Sequence, residues 1–348
     1  LEIYFLIDYS CYCKNTFKVI EYEVNCVTKN IMKEKIKYIF IKLLDIVLLP
    51  LTYLLLPIYK LVKKYGIINF PLQVNAFIKT GVFPMQDHYY NPQFVYSKSF
   101  DANKIRNLHL NFNLDKQLAE LAQLKFTDEL SFKKEGDPYQ GEFYLNNPAY
   151  GPGDADLYYL MVRNLQPKKI IEIGSGFSTM VCLLAIEKNK EAGITTSLTC
   201  IEPYEINWLD TTKNIELIRE KVEDIPVNFF KQLQENDILF IDSSHIIRPE
   251  NDVLFEYLEI LPALNKGVII HIHDIFSPRH YRADWLQKDL RLWNEQYLLE
   301  AFLYYNDSFE IIYSLNYLKT NHFKATQQTL TNLSEQDQPA SIWLRKIK

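Results

Sequence analysis

Ile170-Ile171-Glu172-Ile173-Gly174-Ser175-Gly176-Phe177-Ser178-Thr179 is the stretch on which the fold of this chain turns. A β-branched run ends in an acid, then in two glycines, and opens into an apolar segment. A parallel strand that ends this way lets backbone pass close beneath a ligand, and the helix start that follows offers unpaired N–H groups. In the dinucleotide pattern G-x-G-x-x-G a third glycine lets the helix pack close to the strand. Thr179 stands at that position here, and Glu172 lies two residues before the first glycine. A carboxylate there repels a pyrophosphate and suits a cationic ligand.

Length and charge frame this turn. The chain has 348 residues, 48% hydrophobic and 23% charged, enough for one large α/β core and an extension. A net charge of -5 and a pI near 5.9 give no electrostatic case for a nucleic-acid partner. Cys11, Cys13 and Cys26 lie near the start, and Cys182 and Cys200 lie in apolar segments. This spacing forms neither a metal knuckle nor a disulfide framework, so a reducing, cytoplasmic setting is expected.

Four regions follow from the pattern. Residues 1–31 lack a clear period, and Met32-Lys33-Glu34-Lys35 reads as a translation start, so 1–31 is either upstream sequence or an irregular arm. Residues 32–66 hold an apolar, lysine-flanked segment interrupted by Asp45, Pro50, Thr52 and Pro57. Its two prolines and flanking lysines favour a bent helix at a membrane interface, contacting the inner face through residues 33–64, over a straight span or a cover on a soluble core. Residues 67–150 are rich in aromatics and turn formers, including Phe83-Pro84, His88-Tyr89-Tyr90-Asn91-Pro92 and Asp137-Pro138-Tyr139. They read as a cap recognising an acceptor or as loops packed on the core, with a short helix at 114–123 and His88 a weak catalytic candidate.

Residues 151–348 alternate helix and strand over short connections, which indicates a mostly parallel sheet covered on both faces. Strands are expected at 169–173, 197–202, 217–222, 237–242, 267–273, 309–314 and 341–346. Helices are expected at 154–166, 178–190, from about 205, 225–235, 250–264 and, as one long element, 282–305. In such open sheets ligands bind beyond the carboxyl ends of the strands. Those ends carry Glu172, then Glu202, then Glu223-Asp224, then Asp242-Ser243-Ser244-His245, then His271-Ile272-His273-Asp274. Each acid singly can be a helix cap or first-turn charge; five strand ends in order are harder to dismiss. A carboxylate at Glu202 can accept both hydroxyls of a ribose, and one at Glu223 or Asp224 an adenine amino group. Asp154 reads most plainly as an N-cap and His271 as structural, Trp285 as lining an acceptor pocket, and Trp293 as core.

The region from about 150 to 346 resembles class I S-adenosylmethionine-dependent methyltransferases. Glu172-x-Gly174-x-Gly176 is similar to that family's first motif, in which glycines admit the methionine part of the cofactor and the acid supports its ammonium end. The resemblance implies a Rossmann-like seven-stranded sheet and S-adenosyl-L-methionine as cofactor. Glu172, Gly174, Ser175, Gly176, Ser178, Glu202, Glu223, Asp224 and Asp242 are then its contacts. Asp242-x-x-His245 with His273-Asp274 is similar to the small-molecule and sugar O-methyltransferase branch, in which the first Asp and a pair of acids after the fifth strand hold a divalent metal. The branch implies His245 as base, with Asp242 and Asp274 beside it as catalytic residues, and Asp242, His273 and Asp274 as ligands of Mg²⁺ or another divalent ion. The pair here is His273-Asp274 where the branch has two acids, a departure better suited to a transition metal.

The leading reading is O-methylation of a small-molecule or glycan hydroxyl. A nicotinamide oxidoreductase on a similar sheet is disfavoured by Glu172 and Thr179, and a non-catalytic cofactor-binding protein of the same fold is the third class.

Overall fold

The computed structural model describes residues 9–66, 69–83, 85, 100–137 and 141–348, and in the first helix the side chains of residues 32, 33 and from 35 on. His88-Tyr89-Tyr90-Asn91-Pro92, Pro84 and Pro138-Tyr139 lie outside the described residues, as do residues 1–8. The chain divides into two compact units, Leu1–Phe94 and Val95–Lys348.

In the first unit α1 (Tyr9–Lys64) continues as helix through Pro50 and Pro57, and α2 (Pro71–Thr80) follows. Leu49 and Leu51 flank Pro50, and Leu56 and Ile58 flank Pro57, apolar residues that sustain the helix although each ring removes one backbone bond. Within this unit Phe77 and Val62 are buried, and the Phe77 ring lies 5.7 Å from Tyr59.

The second unit begins with loops and α3 (Leu114–Leu121), whose Leu121 is buried in the core along with Phe143, Leu145 and Tyr150 from the loops that follow. Two helix–strand units come next: α4 (Asp154–Leu165), β1 (Lys169–Ile173), α5 (Phe177–Glu191) and β2 (Ser197–Ile201). The chain continues through α6 (Asn207–Thr211), β3 (Glu216–Ile218), β4 (Ile238–Ile241), α7 (Asp252–Phe255), α8 (Leu261–Ala263) and β5 (Ile269–Ile272). It ends with α9 (Ala283–Gln287), α10 (Glu295–Leu303), β6 (Phe309–Ser314), α11 (Leu315–Thr329) and β7 (Ile342–Lys346). All seven expected strands form one sheet of order β3-β2-β1-β4-β5-β7-β6, parallel except for β7.

The central strands are buried on both faces because their sequences are continuous β-branched and apolar runs, as helix-covered parallel strands require. Strand order reverses between β1 and β4, so loops diverge there and leave a crevice. Gly174 N–H donates to Ile201 O at 3.0 Å, and Asp242 N–H to Ile173 O at 2.9 Å, holding the three strand ends level at that crevice.

Two helix expectations fail. The helix expected over 225–235 is a 3₁₀ turn, Val227–Gln232, after another at Val222–Asp224. The single helix expected over 282–305 is broken into α9 and α10, with Leu290 left-handed at φ 53 between them. The break has a tertiary cause: the His245 carbonyl accepts the N–H groups of Asn294 (3.0 Å) and Glu295 (3.2 Å), which begins α10 afresh against the loop after β4.

Candidate active site

The turn after β1 is built by its own polar groups. Glu172 is fully buried and accepts hydrogen bonds from Ser178 Oγ (2.6 Å) and Thr179 Oγ1 (2.7 Å). Thr179 Oγ1 in turn accepts the Gly176 N–H at 3.0 Å. The threonine in place of the third glycine thus ties the first turn of α5 to the strand. Glu172 and Ser178 face this interface and do not line the crevice, so the expected contact of Glu172 with an ammonium group gives way to a bracing role. The physical reason is strand alternation: Glu172 points to the face that α5 covers, while its neighbour Ile173 lines the cavity.

Burial raises the Glu172 carboxyl to about 7, against the hydroxyl bonds that pull it down. A proton held in the folded state and released on unfolding stabilises the fold at acidic pH, and that contribution is lost as pH rises from 4.5 through about 7. Asp156, raised by burial to about 6, acts with the same sign. Glu172→Gln is expected to remove the larger share of this slope, about 3 kcal/mol at ~1.36 kcal/mol per pKa unit. Denaturant unfolding at about pH 5 and about pH 8 measures it, and an undiminished slope in the variant refutes the assignment.

A cavity of about 300 Å³ lies at the strand-order reversal, lined by Gly174, Glu202, Tyr204, Glu223 and Asp242 among others. Gly174 is left-handed at φ 78, and a Cβ there would run into the Asp242 carbonyl, so only glycine lets β1 and β4 approach this closely. Glu202 Oε2 accepts the Ser175 N–H (3.2 Å) and Oε1 the Tyr204 N–H (2.9 Å), which fixes its carboxylate at the cavity wall. Ser175 Oγ is buried with no hydrogen-bond partner. Of the acids after β3, Glu223 lines the cavity and Asp224 does not; Gly176 also lies off its wall.

Beyond β4 and β5 four of the predicted residues converge. His245 Nε2 lies 3.2 Å from Asp242 Oδ1 and 3.6 Å from Asp274 Oδ2. His273 Nδ1 lies 3.4 Å from Asp242 Oδ2 and 3.8 Å from Asp274 Oδ1. The metal-ligand set inferred from sequence was Asp242, His273 and Asp274, whereas the donor atoms grouped within 4.8 Å of one another belong to Asp242, His245 and Asp274. His245 replaces His273 because the loop after β4 folds back with His245 left-handed at φ 61, opposite Asp274 at φ 55. Two non-glycine residues held in this sparsely populated region at one site mark a geometry imposed by the surrounding fold.

Around His245 and His273 stand a residue with no signal in the sequence, Glu295, and others whose sequence reading the structure refines. Glu295, fully buried, takes the His245 Nδ1 at 2.7 Å and accepts a hydrogen bond from Tyr257 Oη at 2.9 Å. Trp293, assigned to the core from sequence, sits with its ring centroid 4.2 Å from the His245 ring; Trp285 lies 5.1 Å beyond it. Asp154 is not an N-cap: Gly153 holds that position, and the Asp154 carboxylate accepts the Ala340 N–H at 2.8 Å and faces His273 Nε2 at 3.7 Å. Glu295 lies 50 residues from His245 in sequence, and no local pattern announces it.

Burial works to lower the His245 imidazole, but Asp242 and Glu295 outweigh it and hold the group well above its usual value. Likewise burial would raise Asp242, and the His273 and His245 imidazoles overcome it and hold the carboxyl low. His271 is the opposite case: burial and the neighbouring His273 keep it neutral, and its Nε2 meets Tyr150 Oη at 3.2 Å inside the core, the structural place expected for it.

Residues 171–275 match the family model described as a methyltransferase domain. An uncharacterized protein of Archaeoglobus fulgidus is 35% identical over 100 residues, a stretch covering 28% of this chain and 44% of that protein's length. Among solved structures, an O-methyltransferase from Bacillus cereus in complex with SAH is 13% identical, with a TM-score of 0.33 over 67% of this chain and 91% of that one. The apo structure of CalS11, a TDP-rhamnose 3'-O-methyltransferase, is 12% identical, with a TM-score of 0.31 over 55% of this chain and 76% of that one. The segment that matches the methyltransferase domain model runs from within β1 to just past β5, the strands whose order reverses at the cavity.

Proposed function

We propose that the protein binds S-adenosyl-L-methionine in the cavity at the strand reversal and transfers its methyl group to a hydroxyl of a small molecule or glycan, with His245 as general base. The observation that carries this reading is the convergence of His245, Asp242 and Asp274 beside that cavity. The cavity residues suit the cofactor: the Glu202 carboxylate for ribose hydroxyls and Glu223 for the adenine amino group. Gly174 lets the ends of β1 and β4 close together at the cavity wall, and Glu172, Ser178 and Thr179 hold that turn in place.

When bound, S-adenosyl-L-methionine supplies an electrophilic methyl carbon on a sulfonium. As the acceptor oxygen forms the new C–O bond and the C–S bond breaks to leave a neutral thioether, the acceptor hydroxyl proton passes to His245 Nε2. Glu295 on Nδ1 fixes the ring so that Nε2 faces the acceptor and stabilises the imidazolium formed. Trp293 covers one face of the ring and excludes water from it.

Two carboxylates and an imidazole also fit a divalent cation, which Asp242, Asp274 and His245 Nε2 would hold and which would lower the acceptor hydroxyl pKa. A cation on Nε2 occupies the position His245 needs to take a proton, so the two roles exclude each other. A rate unchanged by a chelator leaves His245 as base; a rate lost and restored by Mg²⁺ or Mn²⁺ makes it a ligand.

Equilibrium binding of labelled S-adenosyl-L-methionine and of NADH, followed by methyl transfer to a panel of hydroxyl acceptors, tests the proposal. Binding of NADH instead supports the oxidoreductase class, and cofactor binding with no transfer to any acceptor supports a non-catalytic protein. Glu295→Gln gives a finer check. Removing that carboxylate lowers the His245 pKa, so the ascending limb of kcat/KM against pH is expected to move to lower pH, with maximal kcat reduced roughly tenfold or less. An unmoved limb shows that His245 is not the titrating base.

A further inference from the structure

We infer that residues 38–59 of α1 cross a lipid bilayer, a property independent of the reaction proposed above. Lys35–Lys64 is a continuous 30-residue helix whose most apolar window has a mean hydropathy of 2.2 and is 0% buried. Its exposure has no side. The consecutive residues Ile46, Val47, Leu48 and Leu49 are exposed at 67%, 69%, 44% and 53%, and at about 100° per residue they go once around the axis. A helix lying in the interface needs a polar face, and one docked in a protein groove needs a single apolar stripe. A helix apolar all round fits only a surround that is apolar all round.

Length and ends agree with that surround. Residues 38–59 at ~1.5 Å each extend about 33 Å, against a hydrocarbon core of about 30 Å. Tyr38 and Tyr59 stand at the two ends of this stretch, with Lys33 and Lys35 beyond one and Lys60, Lys63 and Lys64 beyond the other, a composition matched to two layers of headgroups. Besides Tyr53, the polar or charged side chains inside are Lys42, Asp45 and Thr52, and two of these have outlets. Thr52 Oγ1 donates to the Leu48 carbonyl at 3.1 Å, and the Lys42 ammonium reaches back over the Tyr38 ring, 5.6 Å from its centroid, toward the helix end. Pro50 and Pro57, which soluble helices seldom hold internally, are common in membrane-crossing ones.

The test places one reporter at each end. In a background with Cys11, Cys13 and Cys26 changed to Ser, the full chain carrying Lys33→Cys or Lys64→Cys is expressed, and sealed membrane vesicles are treated with a membrane-impermeant maleimide. Cys182 and Cys200 are buried and add the same background to both. Labelling of one variant from outside and of the other only after detergent is expected. Equal labelling of both from outside, release of the chain by alkaline carbonate, or recovery of a chain cleaved after the helix overturns the inference. A Leu48→Lys/Leu55→Lys chain, charged at mid-span, is expected in the soluble fraction with an unchanged melting transition of the sheet domain; its retention in carbonate-washed membranes also overturns it.

Discussion

His245→Ala is expected to lower kcat by about 10²–10⁴-fold while leaving S-adenosyl-L-methionine affinity within a few-fold of the parent, the range for losing a positioned general base. The size follows from geometry. Nδ1 is committed to Glu295 at 2.7 Å, so Nε2, which faces Asp242 at 3.2 Å, is the nitrogen turned toward the site, and among the described residues no other imidazole reaches the same spot: His273 is turned between Asp154 and the carboxylates, and His271 is sealed in the core. Cofactor affinity is spared because His245 does not line the cavity. The comparison needs kcat by transfer of labelled methyl and Kd by equilibrium dialysis on the same preparations. Loss of affinity with kcat preserved would make His245 a binding residue and end the base assignment. The parent rate should climb with pH above the usual imidazole range, since Asp242 and Glu295 hold the group protonated until higher pH.

Gly174→Ala is expected to abolish measurable cofactor binding and to destabilise the domain by about 2–5 kcal/mol. Of that, about 1–2 kcal/mol is the cost of a side chain in the left-handed region and about 1–3 kcal/mol the cost of forcing packed groups apart. The new methyl group meets the Asp242 carbonyl, and Asp242 N–H is bonded to Ile173 O at 2.9 Å, so relief requires spreading β1 from β4. That spreading moves Asp242 and His245, on the loop leaving β4, and Glu202, on the loop leaving β2, whose end the Gly174 N–H holds through the Ile201 carbonyl. Gly193→Ala is the control: it too has positive φ, at 80, but nothing lies within 4 Å, so it should cost only the backbone share and leave binding intact. Thermal unfolding and S-adenosyl-L-methionine titration of both variants separate the two costs. Normal binding in Gly174→Ala would mean that the strand ends have slack and that this glycine is not what admits the ligand.

Both expectations rest on residues legible at different levels. The strands could be read from sequence because each is a short apolar, β-branched run bounded by turns, and β1 was expected with the bounds it has, Lys169–Ile173. The acids and histidines at strand ends followed from the rule that open parallel sheets bind ligands at their carboxyl edge. Two matters did not follow. Thr179 served as evidence against a pyrophosphate, yet its physical work is to bridge Gly176 and Glu172, a role visible only once the helix turn places its hydroxyl between them. The 282–305 segment has helical spacing throughout, and it breaks because the His245 carbonyl captures two N–H groups from a distant loop.

What the sequence by itself determined is the sheet, its helical cover and the order of strand-end acids, since periodicity and β-branching act between neighbours along the chain. Only the tertiary structure decided which nitrogen of His245 faces the carboxylates, that Glu295 rather than a local residue holds His245, and that Glu172 braces the turn from inside. The first two depend on groups 50 residues apart meeting at 2.7 Å, and the third on a helix turn that sets two hydroxyls against a buried carboxylate, where a single ångström changes a partner and so changes what the residue can do.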